Sequence, residues 1–243
     1  ALLEEGRLAY RSLRFGDAVE AYQRALKHDQ DSYAAQLGLA RTLTRMRRQE
    51  EALAAAQRCI EMDPQQADGH ATLGILHFLL DDLDAATSAL EQAMALAPDD
   101  PDAYLTLAQV LTDRKLYAEA EERLAQAREL IGHISDAQAR DELLALAWHV
   151  ETYLRLAQGD NMAATRAAQE VIALQEANPY AACLAYSNLG ILEAKARRYD
   201  GAIEYFQQAY ALNPYFYRAG TALGRLLIAR RQYARAAEVL EDA

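Results

Sequence analysis

The stretch from residue 67 to residue 100 constrains the fold more than any other part of the chain. It contains two amphipathic helical patterns, joined at Asp81-Asp82 and closed by Pro98. Each pattern is too short to bury its apolar face alone, but the arrangement recurs along the chain with a period of 34 residues. Because such units bury their apolar faces by stacking on their neighbours, the sequence predicts an all-α solenoid of helix-turn-helix repeats.

The period divides the 243 residues into about seven repeats, which we expect to form a single solenoid over residues 1–243. The predicted repeats are 1–32, 33–66, 67–100, 101–134, 145–178, 183–216 and 217–243. A helical insertion, 135–144, interrupts the register. It begins with Ser135 and Gln138, the spacing of a capping box, and no helix breaker follows. We therefore predict one unusually long helix that begins near Ser135 and ends near Gln158.

Small residues recur at two positions of the repeat. The first position is alanine in every repeat: Ala18, Ala52, Ala86, Ala120, Ala164, Ala202 and Ala236. The second is Gly6, Ala40, Gly74, Ala108, Gly190 and Gly224, with Thr152 as the exception. We interpret both as places where two helices cross closely, so a larger side chain would destabilise the fold by about 1 to 3 kcal/mol.

Composition and charge exclude several classes of function. The net charge of −11 argues against nucleic-acid binding, because the field of the protein repels phosphates unless a local basic patch overrides it. No uncharged apolar run is long enough to span a bilayer, and no signal peptide is visible, so we expect no membrane partner and a cytoplasmic location. The two cysteines, Cys59 and Cys183, are too few for a disulfide framework. Cys59 is predicted to be a small buried side chain in a reducing compartment.

No pattern of reactive residues predicts catalysis. His70 and His77 lie two helical turns apart, about 10 Å along a helix axis, which is too far for one metal ion to bridge. We interpret them as buried, hydrogen-bonded packing residues. No serine lies in a nucleophile elbow and no glycine-rich loop precedes a helix in the phosphate-binding arrangement. The sequence thus predicts no enzyme, no cofactor and no metal site.

The repeat resembles the tetratricopeptide repeat. The residues that carry the resemblance are an aromatic at the fourth place, Leu-Gly or Leu-Ala at the seventh and eighth, alanine at the twentieth and twenty-seventh, and proline at the thirty-second, as in Tyr104, Leu73-Gly74, Ala86, Ala93 and Pro98. It covers the chain outside residues 135–144 and 179–182. The resemblance implies a right-handed superhelix whose first helices line a concave groove. It also implies a role in holding peptides or other proteins, without catalytic activity.

The resemblance places the groove at defined positions of each first helix. These positions hold Arg7, Tyr10, Arg11, Leu37, Arg41 and Arg45, then Asp68, Thr72, Ile75, Phe78, Asp102, Gln109 and Asp113, and finally His149, Tyr153, Asn188, Ile191, Lys195, Arg218 and Arg225. Family members that grip a terminal carboxylate use lysine and asparagine where this chain has Leu3 and Arg7. An arginine-lined entrance beside an apolar, partly acidic middle suits a segment with an acidic portion and an apolar anchor. Solvated arginines without a dedicated ligand are the alternative.

The turns also carry a charge pattern. Turns within repeats are often basic, as at Arg114-Lys115, Arg197-Arg198 and Arg230-Arg231, whereas turns between repeats are acidic, as at Asp99-Asp100. Oppositely charged edges could contact a partner. The helix dipole gives a simpler explanation, because cations after a helix and anions before one each contribute about 0.3 to 1 kcal/mol.

Three functions remain open on the sequence. The first is a non-catalytic adaptor that binds a peptide or protein segment in its groove. The second is a self-assembling scaffold that associates through its terminal repeats, because terminal helices without polar caps expose apolar stacking surface. The third is a regulatory module of a larger enzyme or transcription regulator.

Overall fold

The computed structural model describes residues 1–214 and 216–242, and fourteen α-helices account for the regular structure within them. The chain divides into two compact units, Ala1–His133 and Ile134–Ala243. Both are built from antiparallel helical hairpins, as the repeat pattern predicts.

The first unit contains four hairpins. Its helices are α1 (Leu2–Arg11), α2 (Phe15–His28), α3 (Tyr33–Arg45), α4 (Gln49–Met62), α5 (Ala67–Leu79), α6 (Leu83–Leu96), α7 (Pro101–Asp113) and α8 (Tyr117–Gly132). Each helix packs on the next, and the first helices of neighbouring hairpins also contact one another, α1 with α3, α3 with α5 and α5 with α7. The first helices thus form one layer of this unit.

The second unit contains three hairpins. Its helices are α9 (Ala137–Gln158), α10 (Asn161–Ala173), α11 (Pro179–Lys195), α12 (Tyr199–Leu212), α13 (Tyr217–Ala229) and α14 (Tyr233–Asp242). Each helix packs on the next, and α9 also contacts α11.

The small-residue positions lie at the helix crossings, as predicted. Six alanines of the first position are fully buried, and Ala236 is 2% exposed. At the second position the glycines face large side chains of the second helix in the same hairpin. A Cβ on Gly190 would lie 2.9 Å from the Phe206 ring, and one on Gly224 would lie 2.5 Å from the Leu240 side chain. The missing side chains therefore let the paired helices approach.

Thr152 shows how the hairpin accepts a larger residue at this position. The residue that faces each glycine follows it by sixteen positions, and the residue sixteen positions after Thr152 is Ala168. Both residues are fully buried. The Thr152 hydroxyl donates a hydrogen bond of 2.8 Å to the Trp148 carbonyl, which satisfies the buried polar atom. A small residue on α10 thus makes room for a larger one on α9.

The turns within hairpins share one backbone geometry. Each contains a residue with positive φ: Leu13, Arg47, Asp81, Lys115, Gly159, Arg197 and Arg231. In the turn after α5, the residue that follows Asp81 is Asp82, whose carboxylate accepts a hydrogen bond of 3.1 Å from the backbone N–H of Ala85. The left-handed residue reverses the chain and the following residue begins the next helix.

The long helix was correctly predicted to end at Gln158, where Gly159 adopts φ 80°. It begins at Ala137, close to the predicted start near Ser135, but the capping residue differs. Asp136 is the N-cap, and its carboxylate accepts a hydrogen bond of 2.6 Å from the backbone N–H of Ala139. Aspartate and serine have similar N-cap preferences, so the sequence alone does not distinguish Ser135 from Asp136 as the cap.

The predicted burial of Cys59 is confirmed, because its side chain is fully buried; Cys183 is buried as well. Burial raises the pKa of Cys59 to about 11 and that of Cys183 to about 12. Among the described helices, none is both long enough and apolar enough to cross a bilayer.

Candidate functional site

In the first unit, the predicted groove position Arg41 lies beside carboxylates of the two hairpins that follow. Its guanidinium forms an ion pair and a hydrogen bond with Asp68 of α5. Desolvation opposes the charge, but Asp68 and Asp102 outweigh it and raise the pKa of Arg41. Burial and then Asp100 raise the pKa of Asp102, whereas Arg41 and Arg45 lower it. Asp68 and Asp102, which the sequence places in the middle of the predicted groove, therefore balance the charge of Arg41.

Tyr10 and Arg45 are also brought together in this unit. The Nε of Arg45 donates a hydrogen bond of 3.0 Å to the Tyr10 hydroxyl, which links α3 to α1. The Tyr10 ring contacts the Phe15 ring edge-to-face, with centroids 5.6 Å apart. These contacts hold the Tyr10 ring and the Arg45 side chain against each other.

The other predicted groove residues of this unit differ in their exposure. Arg7 and Arg11 are exposed on α1, and Arg7 pairs with Glu4 one turn earlier in its own helix. Three more predicted positions on α5 and α7 are half-buried: Ile75, Phe78 and Gln109. Asp113 is exposed, whereas the predicted positions Leu37 and Thr72 are buried. An acidic ligand at this surface would compete with carboxylates that already hold Arg7 and Arg41.

In the second unit, three predicted positions line one open groove of about 420 Å³. The positions are Ile191 and Lys195 of α11 and Arg225 of α13. The rest of the lining comes from Ala194, Phe206, Ala222 and Leu226. We call these seven residues the α11–α13 groove. An apolar floor with two cations at its sides can take an apolar side chain together with neighbouring carboxylates.

The remaining predicted residues of this unit lie outside the lining of the groove. His149 and Tyr153 are half-buried on α9, Asn188 is half-buried on α11, and Arg218 is exposed on α13. The structure thus brings Lys195 and Arg225 together and leaves these four on other parts of the surface.

The apolar floor was missed by sequence reasoning. Phe206 packs against Gly190, and the same ring also lines the groove. Leu226 and Ala222 lie close to Arg225 in sequence but were not assigned to the groove. The period identified the first-helix positions, whereas only the packed hairpins show that α12 contributes the floor between them.

Arginines of the turns within hairpins form ion pairs with carboxylates, in addition to their interaction with the helix dipole. Arg114 pairs with Asp84, and Arg230 pairs with Asp200 at 2.6 Å, in each case with the hairpin before it. Arg198 makes two hydrogen bonds of 2.7 Å with Glu193. Ion pairs with carboxylates of the same or the preceding hairpin therefore stabilise these arginines in addition to the helix dipole.

The two histidines that were predicted to be buried are half-buried, because each ring lies near the end of a hairpin rather than at a helix crossing. His70 lies 3.1 Å from the Pro64 carbonyl through Nε2, and Nδ1 of His77 lies 3.8 Å from Asp82. Over residues 1–214 and 216–242, no three His, Cys, Asp or Glu side chains lie together in a way that could hold a metal ion.

Comparison with known proteins identifies the repeats. One tetratricopeptide repeat profile matches residues 3–67 and 153–215, and a second matches residues 77–146 and 193–243. Tetratricopeptide repeats are protein-interaction modules and are generally non-enzymatic, so protein interaction is the function class of this chain.

A curated relative and several solved structures are similar. The chain is 25% identical over 95 residues to Hsp70-Hsp90 organizing protein 3 of Arabidopsis thaliana. The aligned stretch covers 39% of this chain and only 17% of that protein. The fold is similar to that of TTC0263, a thermophilic repeat protein of Thermus thermophilus, at TM-score 0.62 and 22% identity, with 77% and 97% of the two chains covered.

A repeat protein from Parabacteroides merdae has a TM-score of 0.58 and 14% identity, with 99% of this chain and 90% of that chain covered. For pilF of Pseudomonas aeruginosa the TM-score is 0.54 at 19% identity, with 87% and 89% covered. These identities support the fold alone, whereas the profiles account for most of the sequence. The chain belongs to the tetratricopeptide repeat family.

Proposed function

We propose that the chain is a non-catalytic adaptor that binds a peptide or protein segment in the α11–α13 groove. The bound segment places an apolar side chain on the floor made by Phe206 and Leu226. Carboxylates beside that side chain pair with Lys195 and Arg225. The observation that carries the proposal is the convergence of these cations and Ile191 on one apolar groove.

The charge distribution favours this groove over the surface of the first unit. Lys195 and Arg225 form no ion pair within the described part of the chain, whereas Arg41 and Arg7 are paired with Asp68 and Glu4. A ligand carboxylate can therefore pair with Lys195 or Arg225 without displacing one that belongs to the protein.

The name of the curated relative is consistent with an adaptor, since it describes a protein that organizes two others. The chain spans only 17% of that protein, so its partners are not transferred to this chain. Leu3 and Arg7 also replace the lysine and asparagine of the family's carboxylate-gripping mode. We therefore propose a segment with an internal apolar anchor rather than a terminal carboxylate alone.

A peptide selection tests the proposal. A random peptide phage library is selected on the immobilised full chain, and enriched peptides are synthesised and measured by fluorescence anisotropy. We expect the enriched peptides to share a large apolar residue next to aspartate or glutamate. Ile191→Glu, which places a carboxylate at the groove, should weaken their binding by about tenfold or more.

Arg166→Glu is the matched control, because Arg166 is an exposed arginine on α10, away from the groove lining. It should leave the affinity unchanged. Peptides that bind the wild type and Ile191→Glu equally well would remove the groove from consideration. Circular dichroism spectra of both variants show whether each is folded.

A further inference from the structure

The groove lies in a basic segment of an acidic protein. Residues 194–237 contain eight Lys and Arg residues and only two acidic residues, a formal charge of +6 in a chain of net charge −11. The eight are Lys195, Arg197, Arg198, Arg218, Arg225, Arg230, Arg231 and Arg235, and the acidic residues are Asp200 and Glu204. Basic turns also occur at Arg47-Arg48 and Arg114-Lys115, but the repeat does not require them, because the corresponding turn of the 67–100 repeat contains Asp81 and Asp82.

Two of these arginines are bound to carboxylates and shape the turns. Arg198 is held by Glu193, and the same contact lowers the pKa of Glu193. Arg230 is held by Asp200 at 2.6 Å. Because Asp200 follows the turn after α11 and Arg230 begins the turn after α13, this ion pair places the two turns side by side.

The cations beside these pairs have no carboxylate of their own. Lys195, Arg197 and Arg231 are exposed, and none has an ion-pair partner among residues 1–214 and 216–242. Arg197 and Arg231 occupy the left-handed position of the turns within two consecutive hairpins, with φ of 60° and 59°. We call Lys195, Arg197 and Arg231 the basic edge. Lys195 belongs to both this edge and the α11–α13 groove, so the two surfaces are continuous.

We propose that the basic edge binds a run of aspartate or glutamate residues in the same segment whose apolar side chain occupies the α11–α13 groove. This inference rests on the proposed function and adds the position of the acidic portion. The segment extends from the groove past Lys195 to the turns at Arg197 and Arg231. Guanidinium groups suit this role because each can pair with a carboxylate through two parallel hydrogen bonds.

Nucleic acid is the other polyanion that a basic edge could attract. Tyr199 and Tyr233 are 42% and 62% exposed near the two turns and offer faces on which bases could stack. However, a long polyanion experiences the field of the whole chain, which is negative, whereas a short acidic segment experiences the local cations. The adjoining apolar floor also fits a side chain rather than a phosphate backbone. These observations favour an acidic protein segment.

The test uses the full chain and two fluorescein-labelled synthetic peptides. Both contain a single leucine, which is followed by a run of glutamates in one and by the same number of glutamines in the other. We expect the glutamate peptide to bind about tenfold more tightly than the glutamine peptide at low salt, and the difference to shrink as salt increases. Arg197→Glu/Arg231→Glu should remove that difference without abolishing binding of the glutamine peptide.

Lys115→Glu is the matched control, because Lys115 is also an exposed cation at the left-handed position of a turn but lies in the first unit. It should preserve the preference for glutamate. If the double variant keeps the full preference while Ile191→Glu abolishes binding, the basic edge is refuted and the groove stands. If Ile191→Glu has no effect, the proposed function itself fails.

Two further results would overturn the inference. One is failure of the glutamate peptide to bind the wild type more tightly than the glutamine peptide. The other is tighter binding of single-stranded oligo(dT) than of the glutamate peptide, lost in Arg197→Glu/Arg231→Glu, which would assign the edge to nucleic acid.

Discussion

Gly74 packs directly against Leu90 of the neighbouring helix, so that a Cβ added to Gly74 would lie 2.7 Å from Cγ of Leu90. Leu90 is fully buried, and Gly74 begins no turn. The glycine is therefore required by the close approach of α5 and α6 rather than by backbone conformation.

The first prediction concerns this pair. Gly74→Ala should destabilise the protein by about 1 to 3 kcal/mol, because the new methyl group overlaps Leu90. Leu90→Ala alone should cost about 2 to 5 kcal/mol through the cavity it leaves. The double variant should be more stable than the sum of the two costs predicts, since the methyl group introduced on α5 occupies part of that cavity. Urea unfolding, monitored by circular dichroism, measures the free energy of unfolding of all three variants.

The chain contains both comparisons that this prediction needs. Ala40 and Ala56, both fully buried, already form an alanine pair at the equivalent positions. Gly132→Ala is the control, because nothing lies within 4 Å of a Cβ at this helical glycine. It should leave stability unchanged or raise it by up to about 1 kcal/mol. Strictly additive costs in the double variant would contradict the packing explanation.

The second prediction concerns the left-handed turn residues. Lys115 has φ 62° and an exposed side chain. Lys115→Gly should stabilise the protein by about 0.5 to 1 kcal/mol, because glycine adopts this conformation without steric cost. The measurement is the urea midpoint. Ala118→Gly, on the exposed face of the following helix, should instead cost about 1 kcal/mol, and a loss of stability in both variants would show that the turn is not strained.

The third prediction distinguishes the two candidate caps of α9. Asp136→Ala should cost about 1 kcal/mol because the backbone N–H of Ala139 loses its acceptor. Asp136→Asn should recover most of that loss, and Ser135→Ala should have little effect. Thermal unfolding compares the variants. A larger effect at Ser135 than at Asp136 would place the start of the helix one residue earlier.

The fourth prediction concerns the buried thiols. The unfolded pKa of a cysteine is about 8.5, whereas burial raises the pKa of Cys59 to about 11. A raised folded pKa stabilises the protein below the unfolded value, and this contribution is lost as the pH rises through the folded value. Between pH 7 and about pH 9.5, Cys59 should therefore account for a loss of about 1 kcal/mol in the free energy of unfolding.

Cys59→Ala isolates this contribution. Alanine already occupies the equivalent position at Ala93 and Ala127, both buried, so the variant should fold normally. Urea midpoints at the two pH values should fall less in the variant than in the wild type. An equal fall would show that the Cys59 thiol ionises in the folded protein. Thiol-labelling rates provide an independent check, since labelling at neutral pH should require unfolding.

The sequence predicted a part of the α11–α13 groove that comes from the first helices, but not the part that comes from α12. The period predicts that Ile191, Lys195 and Arg225 face the same side of successive first helices, and the structure has all three lining one groove. The period gave no indication that Phe206 would line the same groove. The ring reaches it through the space left by Gly190, which is a consequence of packing between α11 and α12.

The sequence by itself determined the helices, their pairing into hairpins and the small residues at their crossings, because these depend on spacings that repeat along the chain. Only the tertiary structure decided which charges are balanced. Arg41 meets Asp68 and Arg230 meets Asp200 across hairpins, whereas Lys195 meets no carboxylate in the described residues. Ion pairs between helices depend on side-chain direction and on the distance between neighbouring hairpins, and a linear spacing specifies neither.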